Sequence, residues 1–440
     1  MQVRPMGISI ANRPLKGTIH MMPSKSYLHR GVICASLCTQ PSRMKGVDSL
    51  SQDILATMDV LTRLGLAEFS YENKVLTVLP KGAPWAEEEQ LQHREQESVL
   101  LYPRESGSTL RFLIPLAAQC AHKAVFVCEG RLAQRMKGTY GDILREQPVV
   151  YEEKGNQVSI QGKIHGGIFE MPGDLSSQYL SGLLFLLPLL KEKSEIHITT
   201  PLQSRPYVEM TLEMLSRFGV SASFIRENVV VVPAAQRYQA GDVAIEGDFS
   251  HGAFYLTAGL LGKEPLRIEN LNPNSLQADR AILKALEKMG GHIVQREGGY
   301  IAYPSALHGT TIDISMCPDI GPVLAVAAAG AQGTTRLVGA ERLKLKESDR
   351  LASTCELICS LGGTARADED SLTVIGSGHL AGGSVKTYHD HRIAMSAAVA
   401  SVICKQPVEL DDGECTKKSC ADFFGEWESL GGECRETTAP

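Results

Sequence analysis

Several short runs place Lys or Arg beside Ser, Gly or Asp just where an apolar helix is about to begin. Pro23-Ser24-Lys25-Ser26 opens one such stretch, with Arg30 one turn beyond Ser26. Ser106-Gly107-Ser108-Thr109 opens another with Arg111 inside it, Ser176-Ser177-Gln178 a third, Asp319 a fourth and Asp390-His391-Arg392 a fifth. A Ser or Asp in that position is ordinarily an N-cap, worth about 1 kcal/mol and no chemistry. Capping explains neither cations in a first helical turn, where the helix dipole disfavours them, nor their recurrence at equivalent points. A shared anionic ligand explains both, because the free N–H groups of a helix start already attract anions. Lys344-Leu345-Lys346-Glu347-Ser348-Asp349-Arg350 is the densest charge run, and Glu414-Cys415-Thr416-Lys417-Lys418-Ser419 is a second one. In isolation the first is a solvated helix face with i,i+3 and i,i+4 pairs, but it too lies at a junction leading into a helix. No phosphate-cradling Gly loop accompanies these cations, so small polyanions are expected rather than a nucleotide.

The composition narrows the partners. Over 440 residues, 44 basic side chains face 50 acidic ones, a formal charge of −6, which argues against a nucleic-acid binder with a basic face. At 43% hydrophobic and 21% charged, the chain fits two or three globular domains. Its longest apolar stretch, Tyr179 to Leu190, is shorter than the roughly 20 residues that span a bilayer, and the opening residues carry no signal-type apolar run. A soluble, cytoplasmic protein without membrane contact is expected. The 11 cysteines are scattered and contain no CxxC pair, which suits reduced thiols better than a disulfide framework or a zinc ribbon. His389-Asp390-His391 would put two imidazoles on one face of a strand, but no second ligand pair follows at metal-binding spacing, and no metal is expected.

The elements that position these residues repeat. An amphipathic helix ending in an apolar-Gly pair recurs as MDVLTRLG, MLSRFG, ALEKMGG, ELICSLGG and EWESLGG, with Gly219, Gly290, Gly362 and Gly431 about 70 residues apart. YGDILREQPV is a degenerate copy, which makes six units. Gly after a last helical turn suits a left-handed C-cap, and the runs that follow, such as NVVVVPA and DSLTVIG, have strand patterns. Each unit also holds an earlier, nearly all-apolar helix, as in SSQYLSGLLFLLPLL, which must be surrounded by other elements. The unit is therefore strand, helix, strand, helix, strand, strand. The sixth copy is expected to stop at GGECRETTAP before its last strands, and the opening GISIANRPLKGTIHMM to complete it. Residues 20–240 then form one domain of three repeats, and residues 241–440 with 1–19 form the other.

SKSYLHR, ESGSTLRFLIP, GDLSSQYLSGLLF, EGDFSHGAFYL, LNPNSLQADR, PDIGPVLAVAAA, ERLKLKESDR, YHDHRIAM and ECTKKSCADFF follow one another in an order that resembles the 5-enolpyruvylshikimate-3-phosphate synthase family, the 3-phosphoshikimate 1-carboxyvinyltransferases. The resemblance covers nearly the whole chain. It implies an α/β fold, a two-domain inverse α/β barrel of six βαβαββ repeats, three per domain. It also implies enolpyruvyl transfer from phosphoenolpyruvate to the 5-hydroxyl of shikimate 3-phosphate, in the pathway to chorismate and the aromatic amino acids. Carried over residue by residue, it places Lys25 between the substrates and Ser26, Arg30, Ser176, Ser177, Gln178 and Ser204 around shikimate 3-phosphate. Gly107, Arg135, Arg350, Arg392 and Lys418 fall on the phosphoenolpyruvate side, which Gln178 also touches. Asp319, Lys346 and Glu347 match the polar centre, with Asp319 and Lys346 reaching shikimate 3-phosphate. The chain departs from commoner family residues at Met22, Glu105-Ser106, Gln134-Arg135-Met136-Lys137, Arg205 and Cys420-Ala421.

This implied chemistry asks for a proton on the methylene carbon of phosphoenolpyruvate, attack of the hydroxyl on C2, then loss of phosphate and of a methyl proton. The resemblance assigns Asp319 to the hydroxyl, Glu347 to the carbon proton and Lys25 to acid support, each positioned transfer being worth about 10²–10⁴-fold. No cofactor and no metal is needed, and a monomer is expected. A UDP-N-acetylglucosamine 1-carboxyvinyltransferase would share the fold, but its GAKN-type opening and catalytic cysteine loop are absent, Cys120 and Cys128 falling in a helix-strand pattern. A non-catalytic anion-binding homologue is the other alternative, against which Lys25, Asp319 and Glu347 all stand. Because the first three repeats carry one part of the set and the last three the other, substrate-driven domain closure is expected.

Overall fold

The structure, a computed structural model, describes residues 6–82, 98–135 and 139–438. Its contacts divide the chain into two compact units, Pro23–Ile245 (unit I) and the residues up to Met22 together with those from Glu246 onward (unit II).

The chain opens with β1 (Met6–Ala11) and β2 (Gly17–His20) and then enters unit I. There α1 (Lys25–Ser36), β3 (Ser42–Lys45), α2 (Gln52–Arg63), β4 (Ala67–Glu72) and β5 (Val75–Pro80) form a first repeat. A second comprises β6 (Ser98–Arg104), α3 (Gly107–Cys120), β7 (Lys123–Cys128), α4 (Thr139–Ile143), β8 (Val149–Lys154) and β9 (Gln157–Gly162). The third is β10 (Gly167–Met171), α5 (Ser177–Leu186), β11 (Ser194–Ile198), α6 (Arg205–Arg217), β12 (Ser223–Arg226) and β13 (Val229–Val232), after which β14 (Asp242–Ala244) closes the unit. Unit II repeats the plan. Its fourth repeat is α7 (Phe249–Leu261), β15 (Leu266–Glu269), α8 (Ala281–Lys288), β16 (His292–Arg296) and β17 (Gly299–Tyr303). The fifth is β18 (Thr311–Asp313), α9 (Gly321–Ala329), β19 (Gln332–Val338), α10 (Arg350–Ser360), β20 (Thr364–Ala367) and β21 (Ser371–Ser377). The sixth is β22 (Gly383–Val385), α11 (His391–Ser401), β23 (Val408–Leu410), α12 (Phe423–Ser429) and β24 (Glu433–Thr438).

Six four-stranded sheets result, all built alike: β6-β7-β9-β8, β10-β11-β13-β12 and β18-β19-β21-β20 show the order within one repeat. The opening strand runs parallel to the second and the last two strands antiparallel, so three repeats per unit enclose their helices with sheets. Strands such as β7 bury alternate residues, while α3, α5, α9 and α11 are buried along nearly their whole length. A helix apolar all round has no solvent face to offer, which puts helices inside and half-wet antiparallel ladders outside. This is the two-domain inverse α/β barrel. The recurrent glycines do what their position requires: Gly65, Gly219, Gly290, Gly362 and Gly431 all have positive φ. The next N–H reaches back five residues each time, as in Val220 to Leu215 at 2.9 Å and Gly363 to Ile358 at 2.9 Å, which stops the helix and turns the chain into a strand.

One expectation changes. The sixth repeat does not stop before its last strands, since the polar run Glu433–Thr438 is β24, and only one strand is borrowed. β1 fills that place, in the order β22-β23-β1-β24, with Ile10 opposite Cys434 and Ile8 opposite Leu410. β2 does not belong to the sixth repeat; it opens the fourth, parallel to β15. β14 likewise opens the first repeat, parallel to β3. The chain therefore passes between units at residues 22–23 and 245–246 rather than 19–20 and 240–241, because β2 and β14 each pair before the crossing. His389 and His391 do not share a strand face either: His389 has φ +55° and pairs with Asp412, while His391 is buried in the first turn of α11. Among the described residues, no helix is long and apolar enough to cross a membrane.

In unit I the two buried helices α3 and α5 pack directly. A Cβ on Gly182 would collide with the Arg111 carbonyl oxygen and the Tyr140 hydroxyl, and that hydroxyl donates to the same carbonyl at 2.6 Å. Gly182→Ala should therefore cost about 1–3 kcal/mol by overpacking, read as a lower urea midpoint with unchanged m-value; a midpoint equal to that of the parent chain would show that the contact relaxes freely.

Candidate active site

Unit II brings six of the expected residues into one charge network. Arg350 is the first residue of α10, and its guanidinium is 2% exposed. Nε and Nη2 donate to the two oxygens of Asp390 at 2.8 and 3.0 Å, Nη1 donates to Asp319 at 2.9 Å, and Nη2 donates to Glu347 at 2.6 Å. Asp390 is fully buried and also caps α11, accepting from the Arg392 N–H at 2.9 Å and from the Ser348 hydroxyl at 2.9 Å. Lys346 Nζ is 2.9 Å from the Asp319 oxygen that Arg350 holds, and Arg392 Nη2 stands 4.0 Å from the other. Lys418 Nζ lies 3.7 Å from the second oxygen of Glu347.

Electrostatics follow from this packing. Burial alone would raise the Asp319 carboxyl, but Lys346, Arg392 and Arg350 outweigh it and hold the group well below the usual carboxylate range. Asp319 is thus ionised at neutral pH. Burial, with Arg350 and Arg342 nearby, pulls the Lys346 ammonium down from its ordinary value despite Asp319. Burial, reinforced by Asp319, pushes the Asp279 carboxyl up to about 6, and it accepts from the Ser250 hydroxyl. Among the described residues, the buried Nε of Arg392 has no hydrogen-bond partner.

Unit I holds a second group, at the starts of α1, α3 and α5. Lys25 begins α1 behind the N-cap Ser24, and its ammonium pairs with Asp53 in the first turn of α2 at 3.0 Å. The Asp53 carbonyl accepts from Thr57 and Thr109 hydroxyls, and His29, Thr57, Thr109 and Ser106 form a buried chain of side-chain hydrogen bonds. Burial pushes the His29 imidazole down to about 3, so it enters that chain neutral. Gly107, Gln178 and Arg135 are joined by Arg111, which donates to Gln178 Oε1 at 2.8 Å and to the Arg135 carbonyl at 3.1 Å. Its guanidinium sits 5.3 Å from the centre of the Tyr179 ring. A Cβ on Gly107 would stand 2.7 Å from Arg111 Nη1, so the glycine is what lets the guanidinium cross the start of α3. Gln178 in turn donates to Ser108 at 2.9 Å, behind the N-cap Ser176, with Ser177 buried beside it. Met136 and Lys137, after Arg135, lie outside the described residues.

Arg30 lies within α1 and Ser204 just before α6. The Arg30 guanidinium is buried, its pKa pulled down to about 10 by desolvation, and it donates to Thr211, the Tyr207 carbonyl and the Ser26 carbonyl. It thus ties α1 to α6. Ser204 precedes α6 in a left-handed conformation, φ 55° and ψ 37°, which costs a non-glycine residue about 1–2 kcal/mol. Cys120 and Cys128 end α3 and β7, both buried, and burial pushes the Cys128 thiol up to about 12, far from a nucleophilic thiolate.

Sequence reasoning left three residues out of the site that the geometry puts in it. Asp390 was visible as a helix opener, and Arg111 as a cation inside a helix, but neither position reveals its partner. Asp53 had no local signal, because its role depends on α2 lying against α1 and α3.

The sequence profile of EPSP synthase (3-phosphoshikimate 1-carboxyvinyltransferase) matches residues 10–427. The 3-phosphoshikimate 1-carboxyvinyltransferase of Clostridium perfringens (strain ATCC 13124) is 39% identical over 428 residues, 97% of this chain and 98% of the relative. That of Clostridioides difficile (strain 630) is 40% identical over 428 residues, covering 96% and 97%. In three dimensions, an EPSP synthase structure from Acinetobacter baumannii superposes with a TM-score of 0.79 at 22% identity, covering 98% of this chain and all of that one. The enolpyruvyl transferase NikO from Streptomyces tendae gives 0.78 at 17% identity, over 99% and 100% of the two chains, a likeness of fold. With a family match over nearly its whole length and relatives aligned end to end, the chain belongs to the EPSP synthase (3-phosphoshikimate 1-carboxyvinyltransferase) family.

Proposed function

We propose that the chain transfers the enolpyruvyl group of phosphoenolpyruvate to the 5-hydroxyl of shikimate 3-phosphate and releases phosphate. The observation that carries this reading is Asp319, a carboxylate kept ionised by three cations and set on the same guanidinium as Glu347. Asp319 takes the hydroxyl proton as oxygen attacks C2, and Glu347 delivers a proton to the methylene carbon, which gives a tetrahedral adduct. Loss of phosphate, with Lys25 giving a proton to the leaving oxygen, and return of a methyl proton to Glu347, which entered protonated, form the enol ether; the hydroxyl proton held on Asp319 then passes to Lys25, so all three groups regain their starting states. The two substrates bring two phosphates and two carboxylates together, so fixed counter-charges are essential, each charged hydrogen bond being worth about 1.5–3 kcal/mol.

Shikimate 3-phosphate engages Lys25, Ser26, Arg30, Ser176, Ser177, Gln178, Ser204, Asp319 and Lys346 in this reading. Phosphoenolpyruvate engages Lys25, Gly107, Arg135, Gln178, Arg350, Arg392 and Lys418. Support comes from the buried Nε of Arg392, which has no hydrogen-bond partner among the described residues and suits an anionic one, and from the helix starts behind Ser24, Ser106 and Ser176. The 11 cysteines are thiols rather than disulfides, which suits a reducing compartment, and we take the cytoplasm and a monomer as the working state.

Phosphate release with both substrates present tests the reaction, and its absence would overturn the proposal. Asp319→Asn and Glu347→Gln keep shape and remove charge; each should lower kcat at least about 10²-fold with the fold intact, whereas near-parental turnover would take that residue out of the mechanism. Arg392→Lys should chiefly raise the KM for phosphoenolpyruvate, because an ammonium cannot reproduce the guanidinium fork; an unchanged KM would make Arg392 structural. Since each substrate supplies anions that both sets of cations need, shikimate 3-phosphate should tighten phosphoenolpyruvate binding, and the reverse by the same factor. Calorimetry with a non-reacting analogue of either substrate reads that factor, and a value of one would mean independent sites.

A further inference from the structure

His251 lies in the first turn of α7, 5% exposed, and its Nε2 is 2.7 Å from Glu426 Oε2 on α12. The other oxygen of that carboxylate is 3.7 Å from Cys420 Sγ, and Cys420 is 1% exposed. These three ligand atoms all lie within 4.8 Å of one another, and among the described residues no other group of three His, Cys, Asp or Glu side chains meets that test. A tetrahedral zinc ion with one sulfur, one nitrogen and one oxygen ligand needs them about 3.3–3.6 Å apart. Sγ stands 3.7 Å from Oε1, near that spacing, while Nε2 stands 2.7 Å from Oε2, the other oxygen of the same carboxylate, so the imidazole must draw back from Glu426 for an ion to sit among the three. We propose that His251, Cys420 and Glu426 form a three-ligand site for a divalent ion of the zinc class, which the enolpyruvyl transfer does not use.

The thiol is the informative member. A buried imidazole and carboxylate are sufficient as a pair, and a thiol, a weak hydrogen-bond donor, adds little to them; as a metal ligand it is the strongest of the three for a borderline-soft ion. The surroundings hold the ligands as metal sites do. The Tyr255 hydroxyl donates to Glu426 Oε2 at 2.7 Å, the kind of outer partner that fixes a ligating carboxylate. The rings of Phe254, Tyr255 and Phe423 stand edge-on to the imidazole, with centroids 6.3, 5.3 and 5.9 Å away, and set its plane. Glu426 is the partly exposed member. Cys420 follows Lys418 by two residues, and His251 follows Ser250, whose carbonyl accepts from Arg392 at 3.3 Å. The ion would therefore tie together the two segments that carry or back these cations.

The full chain, stripped with a chelator and titrated with Co2+, gives the readout. Expected is a thiolate-to-cobalt charge-transfer band saturating at one ion per chain, bleached by one equivalent of Zn2+. The band should persist in Cys359→Ser, which removes an exposed thiol, and disappear in Cys420→Ser and in His251→Gln, with Zn2+ affinity at least about 100-fold lower in both. Should Cys420→Ser fail to fold because the position is buried, His251→Gln decides. A parent chain with no band, or a band lost in Cys359→Ser or retained in a folded Cys420→Ser or His251→Gln, would overturn the site.

Discussion

Arg350 carries a positive charge almost wholly out of water, and the chemistry of unit II follows from how that charge is compensated. Desolvating a guanidinium costs several kcal/mol, recovered only where carboxylates meet it in good geometry. Asp390 supplies the bidentate partner, and the remaining corners of the planar fork hold Asp319 and Glu347. Because Nη1 and Nη2 are separated by a rigid group, the two carboxylates assigned to proton transfer are held at a set spacing, which a lysine could not reproduce. The cost of losing this one side chain is correspondingly large: three carboxylates would be left facing one another, and breaking a buried pair alone costs about 3–5 kcal/mol. The arrangement also explains why Lys346 and Lys418 tolerate their confinement. Each has a carboxylate within reach that Arg350 has already oriented.

The repeats make such a centre possible because of where they put helix starts. Helices with no polar face are driven inside the sheets, and their bodies have nothing to offer but packing. Their N-terminal ends still present unpaired N–H groups. Serine or aspartate caps satisfy one of these each at Ser24, Ser106, Ser176, Asp248 and Asp390, and the cations that follow in the chain are set against the helix dipole. Unit I compensates differently from unit II. Asp53 takes Lys25, while Arg111 donates to an amide and a backbone carbonyl and lies on the face of Tyr179. The interior polar groups between them are hydroxyls and a His29 that burial keeps neutral.

How far this was legible in the sequence depends on the range of the signal. The repeat was readable because its marker, an apolar-Gly helix end, is local: the backbone needs positive φ there whatever packs around it. The buried helices were readable for the same reason, from composition alone. β24 was missed because a strand on an outer sheet needs backbone pairing more than apolar side chains, and Glu433–Thr438 has little apolar content to show. Placing β2 in the sixth repeat rather than the fourth was an error of partner, not of type, since nothing in GTIH says which strand it will join. Among the site residues, motif resemblance named ligands and acid-base groups but not the side chains that hold them. Asp390 and Asp53 act through partners 40 and 28 residues away, and only the packing of one helix against another brings those pairs into contact.

The borrowed strands also make the two units unequal as folding problems. Unit I is one uninterrupted segment, and its most distant pairing, β14 with β3, closes a loop of about 200 residues that lies wholly within it. Unit II is split. Its sixth sheet sets Ser9 against Glu409, joined side chain to side chain at 2.7 Å across 400 residues, and its fourth sheet needs β2 against β15. Until both ends of the chain meet, β23 and β24 have no strand between them, and β22 with β23 is too short a ladder to persist alone. Loop closure must precede those contacts, so unit II is expected to be the slower of the two to complete. The same sheet bears on the charge centre. β23 precedes the turn that carries Lys418, and β22 precedes the loop that leads to Asp390 and Arg392, so Asp390, the bidentate partner of Arg350, follows a strand of the sheet that β1 completes. An N-terminal strand of six residues, far from Asp390 and Arg350 in sequence, is in this way part of what keeps a buried guanidinium paired.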